Sequence, residues 1–292
     1  MSESAPRPGL NVPFPPLSDA LDAVGLDGGV WLERFKQLVI PDGRPYIELS
    51  FEPGANPRFG VCLRGSGRAF FNAGLQYVEE ALGPDERLRL EAWIWAYPEW
   101  PRWYIKAEFA DGTPLQVTFY LEDHPPPATL LASLDARGRA VLERAAAAAV
   151  RPEPLVIAIE MDPGGAVEQK AYYAYPVTAP ERVCAIAQDM GFVGADGARL
   201  QGWLDTLGAL TPDETFGVGY RPTEDPARTL GLGYTEVDAV GLWEALHRRG
   251  FGVEKLGASI RFGVERLWYA GPRMVPGEED SFRVYLLVRG DR

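Results

Sequence analysis

Lysine, arginine and tyrosine recur in this chain at alternate positions of short apolar segments. Tyr104, Lys106 and Glu108 share one side of a segment whose other side is Ile105, Ala107 and Phe109. Gln116, Thr118 and Tyr120 repeat the pattern, as do Lys170 with Tyr172 and Arg283 with Tyr285. Tyr46, Glu48 and Ser50 form a similar set, and Arg58, Gly60, Cys62 and Arg64 another. Arginine offers anionic oxygens a planar fork and lysine a point charge. A tyrosine ring presents an electron-rich face to a cation or a surface on which a flat molecule stacks. Solvated strand faces ordinarily favour Lys, Glu, Thr and Ser. This mixture of rings and fixed charges instead points to an enclosed site for something anionic beside something flat.

A period of two means extended strands with one polar and one apolar face. Turn residues between the segments define five hairpins: Tyr46–Glu52 with Arg58–Arg64, Trp103–Ala110 with Leu115–Leu121, and Leu155–Met161 with Glu168–Tyr175. Phe216–Arg221 pairs with Arg228–Tyr234, and Leu267–Met274 with Phe282–Arg289. Each reversal carries the Gly, Pro, Asn or Asp that tight turns demand. Helical periodicity fills the intervals at Leu17–Val39, Ala69–Leu82, Thr129–Val150, Pro180–Met190, Asp196–Leu210 and Val237–Arg249, the last ending at Gly250. The order is helix, hairpin, helix, repeated five times. A solenoid or an open sheet with one wet face would also give this order. Ten twisted strands favour closure, because open edges are costly and prone to aggregate. The expected fold is α+β: a ten-stranded antiparallel β-barrel surrounded by helices. The polar faces then line a lumen wide enough for a ligand. Residues 1–16 read as a flexible Pro-rich tail and 17–292 as a single barrel domain.

Bulk composition narrows the partners. The 292 residues carry a formal net charge of −12, which disfavours nucleic acid and anionic membranes. No apolar run approaches the roughly 20 residues of a membrane helix, and the N-terminus lacks a signal-peptide core, so a cytoplasmic location is expected. Cys62 and Cys184 show no metal spacing. His124 and His247 are the only histidines, too few for a metal cluster or a triad. Glu278, Glu279 and Asp280 read as a solvated turn. Trp93, Trp95, Trp100 and Trp103 read as core beneath a loop rather than as a stacking platform.

Element order from Leu17 to Arg289 resembles the ABBA prenyltransferases, named for α-β-β-α repeats around a ten-stranded barrel. Lys170-Ala-Tyr172 resembles the Lys-x-Tyr strand of that family, in which lysine holds diphosphate and tyrosine shields an allyl cation. Glu48 and Arg58, taken as facing each other across the first hairpin, resemble the pair in dimethylallyltryptophan synthases that contacts an indole N–H and the diphosphate. The resemblance implies transfer of a prenyl group, dimethylallyl, from an allylic diphosphate to an aromatic acceptor. By it, Arg58, Lys106, Lys170 and Arg283 hold diphosphate, and Tyr120, Tyr172 and Tyr285 shield the cation. Glu48 activates the acceptor, while Tyr46, Tyr104 and Gln116 line its site. Two departures stand out. The outgoing strand of the second hairpin carries Gln116, Thr118 and Tyr120 where the family has lysine. Arg228 falls on the apolar face by parity, leaving the fourth hairpin without charge.

For Glu48, an ion pair with Arg58 is an equal alternative. No Asp-Asp-x-x-Asp motif is present, no cofactor is required, and magnesium could assist diphosphate without being demanded. The acceptor could be a small indole or phenol, or a peptide as in the enzymes that modify cyanobactins. A non-catalytic barrel that binds a hydrophobic ligand is the third reading. Oligomeric state is not legible in the sequence.

Overall fold

A computed structural model describes residues 16–39, 47–55, 58–97, 102–164, 167–222 and 228–288. Tyr46, Trp100 and residues 1–15 of the tail lie outside these. Among the described residues, a pair of helices precedes each of five hairpins. Helices α1 (Leu17–Ala23) and α2 (Gly29–Val39) lead into β1 (Ile47–Phe51) and β2 (Phe59–Ser66). Then α3 (Gly67–Ala81) and α4 (Pro84–Trp95) precede β3 (Arg102–Ala110) and β4 (Thr113–Glu122). Next, α5 (Ala128–Ser133) and α6 (Ala136–Ala148) precede β5 (Val156–Met161) and β6 (Val167–Pro176). They are followed by α7 (Glu181–Asp189), α8 (Ala195–Gly208), β7 (Thr215–Arg221) and β8 (Thr229–Asp238). The last set is α9 (Ala239–Arg248), α10 (Glu254–Arg261), β9 (Arg266–Met274) and β10 (Ser281–Val288).

The ten antiparallel strands close into one barrel in sequence order, and β1 pairs with β10 at the seam. Closure removes every sheet edge. All five hairpin turns fall at one end, and the helical connections leave from the other. The turn of β3 and β4 shows how local chemistry sets this: Asp111 and Gly112 both take positive φ, the geometry that matches strand twist in a two-residue reversal.

Several expected helices are divided. The 17–39 segment breaks where Gly25 adopts a left-handed φ of 66°. The 129–150 segment breaks at extended Leu134, after which the Asp135 side chain accepts from the Gly138 N–H and starts α6. Helix α4 was not anticipated, although Pro84 sits at its first turn, where proline is favoured. It carries Trp93 and Trp95, so half of the expected tryptophan loop is helical; Trp93 and Trp103 are buried as expected, but Trp95 is 65% exposed and is not core. Helix α10 was also missed. Strand β8 runs to Asp238, whose carboxylate then caps α9.

Parity sorts the barrel wall. Outward residues such as Phe59, Ile105, Phe119, Ile159, Val218, Leu230 and Val284 are buried under the helices. Tyr173, Tyr175, Tyr220 and Tyr234 also point outward, and three of their hydroxyls have partners in that layer: Tyr175 donates to the Ala145 carbonyl at 3.0 Å, Tyr220 to the Tyr175 hydroxyl and Tyr234 to the Leu204 carbonyl. Arg228 belongs to this outer layer too, donating to the Asp189 carbonyl at 3.0 Å, as its parity implied. Asp280 is not merely solvated. It accepts from the Trp203 indole at 2.7 Å and pairs with Arg199 at 3.2 Å, tying the last turn to α8. No helix among the described residues is long and apolar enough to cross a membrane.

Candidate active site

The lumen holds a cavity of about 360 Å³. Its mouth lies between the hairpin turns, where Glu52, Arg58, Leu115, Asp162, Arg273 and Ser281 line it. Deeper residues come from strand interiors by strict alternation: Lys106 and Glu108 from β3, Gln116 and Tyr120 from β4, Glu160 from β5, Lys170 and Tyr172 from β6, and Arg283 and Tyr285 from β10. Arg58, Lys106, Lys170, Arg283, Gln116, Tyr120, Tyr172 and Tyr285, all singled out in the sequence, therefore share one cavity.

The cations are not bare. Lys106, only 2% exposed, lies 2.7 Å from Glu108, and Arg283 pairs with the same carboxylate. Lys106 also donates to the Tyr285 hydroxyl at 3.3 Å and sits 5.1 Å from that ring's centre. Across the lumen, Lys170 pairs with Glu160, which also takes Arg221; Arg221 in turn reaches Glu168. Thr118 stands between Lys106 and Glu160 and separates the two groups, while Lys170, opposite Ala158, reaches Glu160 diagonally. Burial works against ionising Glu108, yet Arg283 and Lys106 hold it well below the usual carboxylate range. Burial is likewise overridden at Glu160, which Lys170 and Arg221 keep ionised. For Arg221, burial wins and pulls the guanidinium down to about 10. Its Nε and the Thr118 hydroxyl are buried without hydrogen-bond partners.

Tyrosines form the inner wall. Tyr104 and Tyr120 stack at 3.9 Å with planes 5° apart. Tyr172 follows at 6.4 Å from Tyr120, and Tyr269 meets Tyr285 edge-on at 5.2 Å. Burial pushes the phenols of Tyr104, Tyr120 and Tyr172 far up, so these rings stay neutral. Two glycines of the fourth hairpin seat two of these rings. A methyl group on Gly219 would lie 2.6 Å from the Tyr172 ring, and one on Gly233 would overlap the Tyr269 hydroxyl. These glycines leave room for the rings along the middle of the fourth hairpin. Contrary to the sequence expectation, the hairpin is not without charge: Arg221, at the end of β7, pairs with Glu160 and Glu168.

Glu48 is placed differently from expectation. Its neighbour across the hairpin is Cys62, and its ion pair is with Arg64 at 3.1 Å, not with Arg58. Partners in a hairpin are equidistant from the turn. Arg58 therefore sits four residues nearer the turn, about 13 Å along the strand. Glu48 lies at the helix-connected end of the lumen with Arg64, Glu122 and Tyr104, where Arg64 also pairs with Glu122 at 3.3 Å.

Sequence reasoning passed over Tyr269, Arg273, Glu108, Glu160 and Arg221 as site residues. The first two carry a readable signal. Tyr269 stands directly opposite Tyr285, and Arg273 opposite Ser281, so both share the face that marks Arg283. Among the described residues, no group of three or more His, Cys, Asp or Glu side chains is placed to hold a metal.

No family model matches the chain, and no curated protein sequence does. Solved structures do match. A 6-dimethylallyltryptophan synthase from Micromonospora olivasterospora, in complex with DMASPP and Trp, aligns with TM-score 0.63 and 16% identity over 93% of this chain and 97% of that one. PriB bound to product diphosphate aligns at 0.64 and 17% identity, covering 94% and 96%. The 5-dimethylallyltryptophan synthase from Streptomyces coelicolor aligns at 0.57 and 16%, covering 91% and 93%. The fold is thus the ten-stranded ABBA barrel of prenyltransferases, across nearly the whole chain.

Proposed function

We propose that this barrel transfers a dimethylallyl group from its diphosphate to an aromatic acceptor by electrophilic aromatic substitution. One observation carries the reading: one cavity of the lumen brings basic side chains at and below its mouth against tyrosine rings deeper in. Diphosphate would lie among Arg58, Lys106, Lys170, Arg273 and Arg283. Breaking the allylic C–O bond leaves a delocalised cation, and Tyr120, Tyr172, Tyr269 and Tyr285 present ring faces or edges around that position. Each face is worth roughly 1–2 kcal/mol to a desolvated cation. The barrel wall keeps bulk water from capturing it. The acceptor ring then attacks, and rearomatisation releases one proton. Glu48, on the helix-connected side of the tyrosines, would hydrogen-bond the acceptor N–H or O–H and enrich the ring.

Titration calorimetry with dimethylallyl thiolodiphosphate tests the donor half, and micromolar binding is expected. A panel of tryptophan, indoles, phenols and Trp- or Tyr-containing peptides, followed by mass spectrometry, tests the acceptor half. The relatives of known structure named for tryptophan make indoles the first choice. A second reading has one observation in its favour. Lys106, Lys170 and Arg283 are each already paired with a carboxylate, as suits a barrel that binds a neutral aromatic ligand and does no chemistry. Absence of thiolodiphosphate binding at near-millimolar concentration would decide for it.

A further inference from the structure

The cavity walls carry nearly as much negative charge as positive. Arg58, Lys106, Lys170, Arg273 and Arg283 are offset by Glu52, Glu108, Glu160 and Asp162. Two of these acids are buried within the cation groups themselves. Glu108 lies between Lys106 and Arg283, and Glu160 between Lys170 and Arg221. A diphosphate draws on those same cations, so it competes with a carboxylate for donors in each group it enters. We infer that Glu108 and Glu160 act as built-in counter-anions that compete with diphosphate for the lumen cations and thereby set donor affinity and product release.

This rests on the prenyl-transfer reading and adds to it a role for acids that an anion site would not otherwise need. Before substrate arrives, the carboxylates compensate the buried Lys106 and Arg221 and the partly buried Lys170 and Arg283, as charges taken out of water require. When diphosphate enters, its oxygens compete with theirs, and the carboxylates repel the anion at close range. That repulsion weakens the product as well as the donor, so cleaved diphosphate leaves by exchange with side chains already at hand. Arg221 anchors one half of the device. It is 2% exposed, lies outside the cavity lining, and holds both Glu160 and Glu168. With Glu168 removed, Arg221 would draw Glu160 closer and leave Lys170 freer.

The test is calorimetric titration of inorganic diphosphate into the wild-type chain and the variants Glu108→Gln, Glu160→Gln and Glu168→Gln. The first two should bind diphosphate about tenfold more tightly than wild type. Glu168→Gln, which leaves Arg221 paired with Glu160, should tighten it about threefold and keeps the test open if the others fail to fold. A purely structural role for these acids would lower melting temperature and leave binding equal or weaker. Wild type that binds, with variants that bind no more tightly, overturns the inference alone. Absence of binding by every form removes the prenyl-transfer reading and this inference with it.

Discussion

The two ends of the lumen are made by the same ten strands, yet they hold charge in opposite ways. At the turn end, Lys106 and Lys170 face Glu108 and Glu160 with almost no water in contact. At the helix-connected end, Arg64 bridges Glu48 and Glu122 with its side chain 52% exposed. Identical residue types therefore carry different weights. A desolvated pair is costly to break because the partner left behind is buried and uncompensated. A half-exposed pair is screened and contributes little. Substrate anions belong where the fixed charges are dry, and an acceptor that must enter and leave belongs where they are wet.

Lys106→Ala attacks the dry end and should show the largest effect. Glu108 keeps Arg283 as a partner, so the stability loss, read by urea denaturation, should fall short of the about 3–5 kcal/mol of a fully orphaned buried charge yet exceed about 1 kcal/mol, and thiolodiphosphate binding should weaken by at least about 30-fold. Tyr172→Leu removes one ring between the ends while keeping its bulk apolar. Turnover should drop about 10–30-fold with donor affinity unchanged, as expected for a group that stabilises only the developing cation. An equal loss in donor binding would place Tyr172 in the ground-state site instead. Glu48→Gln probes the wet end: stability should shift by less than about 1 kcal/mol. Donor binding should be unchanged, and the rate with an N–H acceptor should fall about tenfold. A stability loss as large as that of Lys106→Ala would erase the distinction between the ends.

Acid titration offers the mildest contrast. Glu108 and Glu160 have folded values depressed below the ordinary carboxylate value of about 4.3. Their contribution to stability is complete above that value and is lost as pH falls through the folded ones. Melting temperature should therefore decline below about pH 4, and the decline should flatten in Glu108→Gln. An unchanged slope would mean that the dry pairs are not held as described.

Alternation and turn residues made the ten strands, their inward faces and the cations at Lys106, Lys170 and Arg283 legible in the sequence, because both signals are local. Register carried less far. Glu48 and Arg58 share a face, but counting outward from Ala55 at the centre of the turn places Cys62 opposite Glu48. The counter-ions were hidden for another reason. Glu108 meets Arg283, and Glu160 meets Arg221, only through strands that are far apart in sequence or not adjacent in the sheet. Helix α4 was missed because its apolar positions do not make one clean stripe; Leu88 and Trp95 face outward while Leu90, Trp93 and Ile94 are buried.

The seam between β1 and β10 joins Ile47 with Val288 and Phe51 with Val284, the first strand with the last. Pairing across more than 230 residues carries a large loop-closure cost, the kind of contact that slows folding. Until β10 docks, β1 and β9 present bare backbone edges ready to pair with another molecule. Synthesis that stops before residue 281 would leave both edges exposed at once, and the product should accumulate as aggregate instead of as a smaller barrel.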